Sequence, residues 1–186
     1  MSDNLVEVFL ARLQPSWREP GRCLLLGPMW LPSCVVDVAA LSDEELLAHD
    51  FLYVPICSHQ HWVGAVVCKC SDASYRILVL DTLYDSPFDV DLHCGQIRDV
   101  LTFTWRSHRP DPAPQVTWSK VRGVPTQPNL VDCALYMALL FQMHNETLPA
   151  LHLHPEPHWQ PAIKHSVVAN LRTAVLQELR LRRAPP

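Results

Sequence analysis

The sequence lacks the features that mark several large classes of protein. It has no basic excess, because 15 Lys and Arg stand against 19 Asp and Glu for a net charge of −4, and we therefore expect no nucleic-acid partner. It has no run of about 18 apolar residues, which a membrane-spanning helix needs. Residues 1–4 also lack the basic start and apolar core of a signal peptide. These absences favour an intracellular protein of the cytoplasm or nucleus with no membrane contact.

The cysteines lack the regular spacing of a disulfide framework. There are seven, an odd number, and in a reducing compartment such cysteines are usually free. Cys68 and Cys70 share one face of a predicted strand, but two further ligands at suitable spacing are missing for zinc. His152, His154 and His158 alternate with prolines, a pattern typical of a surface loop. We expect neither a metal nor a cofactor.

The chain also lacks internal repeats, and its 186 residues fit one domain with one core. Hydrophobic periodicity predicts a short helix within residues 1–29, and then helices and strands over residues 30–186. The helices are predicted at 4–13, 31–47, 91–101, 134–142 and 165–181, and the strands at 51–56, 61–70, 75–80 and 115–121. This order indicates an α+β fold around a central sheet.

One of the cysteines stands at the start of an apolar helix. Cys133 directly precedes the predicted helix 134–142, whose free backbone N–H groups lower the pKa of a thiol placed there. A thiolate at such a position needs a neighbouring histidine to act as a nucleophile. His61 opens one predicted strand and Asp81 directly follows the next. If the two strands are adjacent and antiparallel, Asp81 orients the ring of His61 and stabilises its charged form.

A neutral amide completes the pattern. Gln127 lies six residues before Cys133, where its side chain and the Cys133 backbone N–H can form an oxyanion hole for acyl transfer. Each part has an ordinary structural explanation as well: a buried cysteine at a helix start is usually structural, and Gln127 precedes a proline and can be a turn residue. His61, Asp81, Gln127 and Cys133 together favour nucleophilic catalysis.

These residues and their neighbours carry a resemblance to a known family. The sequence is similar to the signature of the ubiquitin-like-protein-specific cysteine proteases, the SUMO protease family, whose clan includes the adenovirus protease. The matching segments are Trp30-Leu31-Pro32-Ser33, His61-Trp62, Asp81-Thr82-Leu83, and Gln127 followed after five residues by Cys133, with Asp132 before it.

The resemblance implies a fold, an activity and a partner. It implies a papain-like α+β fold in which helices flank a mixed central sheet and the nucleophile begins a buried helix. It implies a cysteine endopeptidase or isopeptidase that cleaves after the Gly-Gly terminus of a ubiquitin-like modifier such as SUMO, and we expect it to be a monomer. The resemblance also implies that Trp30 and Trp62 form a narrow tunnel that admits only glycines. Before the resemblance is considered, Trp62 is as well explained by a place in the core.

The sequence departs from the family pattern in several places. Ala134 replaces the usual glycine after the nucleophile, Thr82 replaces a serine, and Pro32-Ser33 replaces Asn-Asp. Thirty residues separate Trp30 from His61, which is short for a cellular SUMO protease.

Three other functions stay open. A precursor-processing protease of viral or mobile-element type fits the short chain. A non-catalytic modifier-binding module is disfavoured because all four catalytic positions are filled. An acyltransferase would need a basic pocket for a cofactor phosphate, and no basic cluster lies near these residues in the sequence.

Overall fold

The computed structural model of the protein describes residues 3–17, 20–36, 44–83, 85–129, 132–151, 167–174 and 177. The predicted histidine-containing loop at 152–158 lies outside these residues, as do residues 37–43 of the predicted helix 31–47 and both ends of the predicted helix 165–181. Within the described ranges no helix is both long and apolar enough to cross a membrane.

The described residues include five α-helices and five strands, with a further helical segment near the C-terminus. The helices are α1 (Asp3–Leu13), α2 (Trp30–Val36), α3 (Glu45–Ala48), α4 (Val90–His108) and α5 (Cys133–Leu151). The strands are β1 (Cys23–Leu25), β2 (Phe51–Ser58), β3 (His61–Ser71), β4 (Ser74–Leu80) and β5 (Gln115–Lys120). Residues 167–174, within the predicted C-terminal helix, are also helical.

The strands form one mixed sheet in the order β1-β2-β3-β4-β5. The central strand β3 is antiparallel to both β2 and β4, whereas β1 pairs with β2 and β5 pairs with β4 in parallel. In the β3–β4 pair, Gly64 lies opposite Leu80, so the start of β3 is next to the end of β4. The structure confirms the predicted α+β class with a mixed central sheet flanked by helices.

The central strand β3 separates two apolar clusters. Successive side chains of a strand point to opposite faces: Trp62 and Val66 join one cluster, and Val63 and Ala65 join the other. The first cluster contains residues of α1 and α5, and the second contains residues of α3 and α4. Because both faces are covered, β3 is apolar without alternation over its first half.

Two helices extend beyond their predicted ends, and one strand was not predicted. The pattern of α4 weakens after Leu101, but Thr104 and Trp105 are buried and the Arg109 N–H caps the Trp105 carbonyl. In α5 the buried polar residue His144 interrupts the apolar run that defines the predicted helix. The missed strand β1 has only three residues and depends on its pairing with β2.

The first testable prediction concerns the contact between β3 and α5. A Cβ atom added to Gly64 would lie 2.6 Å from Phe141 Cε1 and 3.2 Å from Met137 Cγ. Both side chains are in the closely packed core, so we expect Gly64→Ala to lower the free energy of unfolding by about 1–3 kcal/mol. Thermal unfolding should show a clear fall in Tm. Gly21→Ala is the matched control because nothing lies within 4 Å of its added Cβ, and equal Tm values for the two variants would contradict the close approach.

The second prediction concerns His144 in α5. Its side chain is fully buried, its Nδ1 lies 2.9 Å from the Tyr53 hydroxyl, and burial lowers its pKa to about 4. This folded-state pKa lies below the unfolded value of about 6.5. The stability that neutral His144 provides is therefore complete above pH 6.5 and is lost as the pH falls towards 4, at about 1.4 kcal/mol per unit.

Urea unfolding of the wild type and His144→Phe at several pH values tests this. The stability advantage of the wild type should shrink by about 3 kcal/mol between the unfolded and folded pKa values of His144. A difference that stays constant over this range would show that His144 does not titrate as its burial requires.

Candidate active site

The four predicted catalytic residues lie at the ends of secondary-structure elements. His61 is the first residue of β3, Asp81 directly follows β4, and Cys133 is the first residue of α5. Gln127 lies in the loop between β5 and α5. All four are buried, with exposed fractions between 3% and 6%. Polar side chains with so little exposure need partners among the neighbouring groups, and those contacts define the candidate site.

The structure brings His61 and Asp81 together. His61 Nε2 lies 2.8 Å from Asp81 Oδ1, and the antiparallel pairing of β3 with β4 accounts for this contact. The Leu83 backbone N–H donates to the same oxygen at 3.0 Å. Lys120 Nζ donates to the other oxygen, Oδ2, at 2.9 Å. Both oxygens of the Asp81 carboxylate are thus occupied.

The ionisation of the site follows from these contacts. Burial would raise the pKa of Asp81, but hydrogen bonds from His61, Leu83 and Lys120 outweigh it and hold the pKa well below its ordinary value. Burial would likewise lower the pKa of His61, but its hydrogen bonds to Asp81 and Cys133 raise it to about 9. The ring is therefore an imidazolium at neutral pH.

The Cys133 thiol shifts in the complementary direction. Burial would raise its pKa, but the hydrogen bond to His61, the Trp62 backbone N–H and the charge of His61 together lower it. The Ala134 N–H at the start of α5 contributes in the same direction. The raised pKa of His61 and the lowered pKa of Cys133 both favour a thiolate–imidazolium pair.

Gln127 is fixed beside the loop that follows β4. Its backbone N–H donates to the Thr82 carbonyl at 3.1 Å, and its Oε1 accepts from the Thr82 hydroxyl at 2.6 Å. Its Nε2 donates to the Asn129 carbonyl at 2.5 Å. The amide group therefore points its oxygen towards Thr82 and its nitrogen towards the segment that leads to Cys133. Thr82, which departs from the family pattern, supplies the hydroxyl that sets this orientation.

Asp132 anchors the start of α5. Its buried side chain accepts from Asn129 Nδ2 at 2.8 Å and from the Arg172 guanidinium. Its backbone carbonyl accepts from the N–H groups of Leu135 and Tyr136. The contact with Arg172 was not predicted, because no sequence pattern indicates which residue of a distant helix reaches this turn.

Ala134 occupies the place of the usual glycine without strain. Within the described ranges, positive φ angles occur at His59, Gln60 and Gly123, and Ala134 lies buried in the first turn of α5. A negative, helical φ carries no steric cost for an L residue with a side chain. The alanine is therefore compatible with the position after the nucleophile.

The two tryptophans pack against different apolar clusters. Trp62 is 2% exposed and belongs to the cluster between the sheet and α5. Trp30 is half-buried and packs against the cluster on the opposite face. Trp62 thus has the core position that was its alternative explanation, and its backbone contributes to the environment of Cys133. A tunnel formed by both rings stays a prediction.

Comparison with known proteins identifies similar sequences and folds. The sequence model of the Ulp1 protease family, C-terminal catalytic domain, matches residues 37–182. No curated protein matches the chain. A solved structure of a de-sumoylating protease is similar at 16% identity and a TM-score of 0.69, over 97% of this chain and 75% of that one.

Two further solved structures are similar. One is the C-terminal Ulp1 protease domain in complex with Smt3, the yeast ortholog of SUMO. It is similar at 14% identity and a TM-score of 0.59, over 95% of this chain and 75% of that one. The other is the Xanthomonas campestris effector protein XopD bound to ubiquitin. It is similar at 10% identity and a TM-score of 0.65, over 95% of this chain and 90% of that one. At these identities the structures show a shared fold.

Proposed function

The chain belongs to the Ulp1 protease family, and from this premise we propose that it is a cysteine protease that cleaves after the Gly-Gly terminus of a SUMO-like modifier. The observation that carries the proposal is the buried His61–Asp81 pair at 2.8 Å, together with Cys133, whose pKa the His61 ring lowers. We propose that His61 is the base, Asp81 the orienting acid and Cys133 the nucleophile.

The proposed reaction proceeds through a thioester. The Cys133 thiolate attacks the carbonyl carbon of the second glycine, and the C–N bond to the following amine breaks as the His61 imidazolium gives its proton to that amine. Neutral His61 then takes a proton from water, which attacks the thioester. The C–S bond breaks, Cys133 leaves as a thiolate, and the modifier is released with a free carboxylate.

Gln127 and the Cys133 backbone N–H are proposed to bind the oxyanion. A carboxamide nitrogen has two N–H donors, and Gln127 uses one on the Asn129 carbonyl. The other is proposed to meet the developing charge, and the bonds to Thr82 keep the amide from rotating. A donor held in place before the reaction costs no reorganisation in the transition state.

The proposed modifier class is supported by the family and by the partners of two proteins with a similar fold. The Ulp1 domain was solved with Smt3, and XopD was solved with ubiquitin. We propose that this protein likewise acts, as a monomer without a metal, on a ubiquitin-like protein. Trp30 and Trp62 are proposed to restrict the substrate channel to glycines by steric exclusion.

Cleavage of a panel of modifiers tests the proposal. Purified protein is incubated with SUMO-type and ubiquitin-type proteins that carry a fluorogenic amide after Gly-Gly, and with SUMO-type conjugates in which alanine replaces the penultimate glycine. We expect turnover of a SUMO-type conjugate and a loss of at least about 100-fold for the alanine substrate, since a methyl group in a closed channel is strongly rejected. Failure to cleave every Gly-Gly substrate would contradict the proposal.

A further inference from the structure

Lys120 contacts Asp81 but takes no part in the reaction steps proposed above. It is the last residue of β5, and its Nζ lies 2.9 Å from Asp81 Oδ2. The parallel pairing of β5 with β4 places Lys120 opposite Val79, two residues before Asp81. The side chain of Asp81 is 0% exposed and that of Lys120 is 41% exposed. A partly exposed ammonium thus reaches into the site and binds a fully buried carboxylate.

A lysine on an edge strand has an ordinary explanation, because exposed charges at sheet edges prevent aggregation. Lys69 provides a comparison within the same sheet, since it pairs with Asp72, whose side chain is 94% exposed. Lys120 differs because its partner is the residue that orients His61. A purely protective charge would gain nothing from such a partner.

The contact matters because the charge of His61 changes during the proposed reaction. Each time His61 gives up its proton, buried Asp81 loses one of its cationic partners, and an unpaired buried carboxylate is costly. Lys120 keeps its charge at that stage. In addition, the ammonium and the imidazolium occupy opposite oxygens of one carboxylate and repel each other.

From this geometry we propose that Lys120 is a positioning residue that keeps Asp81 ionised and in place throughout the reaction and weakens the hold of Asp81 on the His61 proton. The inference rests on the proposed triad. The titratable neighbours of His61 are Asp81 after β4 and Cys133 from α5, and Asp81 also contacts Lys120 from β5 and the Ser86 hydroxyl from the following loop.

The test follows the alkylation of Cys133 by iodoacetate across the acidic and alkaline pH ranges, without any modifier substrate. The imidazolium attracts this anionic reagent, so the rate should fall on the alkaline side as His61 loses its proton. We expect Lys120→Met to move this alkaline limb to higher pH, by about half a pH unit to one pH unit. Lys120→Arg keeps the charge and should restore the wild-type limb, and Lys69→Met should leave it unchanged.

Two further measurements separate this role from a structural one. Lys120→Gln keeps a hydrogen-bond donor but removes the charge, so its alkaline limb should shift as that of Lys120→Met does, and circular dichroism verifies that each variant is folded. Folded variants with an unshifted limb would overturn the inference. A wild-type rate that lacks an alkaline limb and is unaffected by His61→Ala would overturn the proposed triad itself, and the inference with it.

Discussion

Cys133→Ala is expected to abolish hydrolysis, with a fall in kcat/KM of at least about 10⁴-fold. No other group at the site can form the thioester, and loss of a catalytic nucleophile has effects of this order or larger. The substitution removes one buried sulfur atom at the start of α5, so the variant should remain folded and should still bind the modifier. Hydrolysis of the SUMO-type fluorogenic conjugate and an independent binding measurement, made on the same preparation, test both expectations.

Cys94→Ala is the matched control for this variant. Cys94 is also a buried cysteine in a helix, but burial raises its pKa to about 12, whereas the contact with His61 lowers that of Cys133. Buried thiols with a raised pKa, such as that of Cys94, are inert. Cys94→Ala should therefore keep its activity, and residual turnover by Cys133→Ala above a small fraction of the wild-type rate would show that Cys133 is not the nucleophile.

His61→Ala is expected to have the second largest effect, on turnover and on the thiol itself. In the wild type the lowered pKa of Cys133 keeps the thiolate populated below the usual thiol pKa of about 8.5. Burial raises the pKa of the Cys133 thiol. Without His61, the backbone N–H groups of Trp62 and Ala134 would be left to lower it. The pKa of Cys133 should then rise, and its alkylation by iodoacetamide at mildly acidic pH should slow by more than about tenfold.

The pH dependence of this alkylation distinguishes the base from a structural histidine. The acidic limb should move to higher pH in His61→Ala, and kcat/KM at neutral pH should fall by about 10²- to 10⁴-fold, as expected for loss of a general acid and base. His93→Ala in α4 serves as the control, since His93 stacks on Phe88 at 4.7 Å on the other face of the sheet. An unchanged acidic limb in His61→Ala would contradict the ion pair.

The parts of the site that the sequence predicted depend on neighbouring elements. His61 is the first residue of β3 and Asp81 directly follows β4, and strands joined by a short turn usually pair antiparallel, so their contact followed from the element order. Cys133 was predicted from the apolar helix that it begins. The fold class followed in the same way from the order of helices, a run of strands, one helix, a strand and further helices.

The parts that were missed depend on long-range packing. Lys120 reaches Asp81 because β5 adds to β4 in parallel after the α4 crossover, a pairing that periodicity does not specify. Arg172 reaches Asp132 from a helix 40 residues further along the chain. The predicted ends of α4 and α5 were early because buried Thr104 and His144 look like exposed polar residues in sequence. Tertiary contacts, which sequence patterns do not show, determine both of these side-chain contacts and both helix ends.

Covalent capture at Cys133 tests the central claim most directly. The protein is treated with a SUMO-type modifier that carries an electrophile in place of the C-terminal carboxylate, and the product is mapped by mass spectrometry. We predict one adduct, on the peptide that contains Cys133, and none on that peptide in Cys133→Ala or after His61→Ala at mildly acidic pH. An adduct on another cysteine such as exposed Cys57 or Cys70, or no adduct with any ubiquitin-like modifier, would contradict the account.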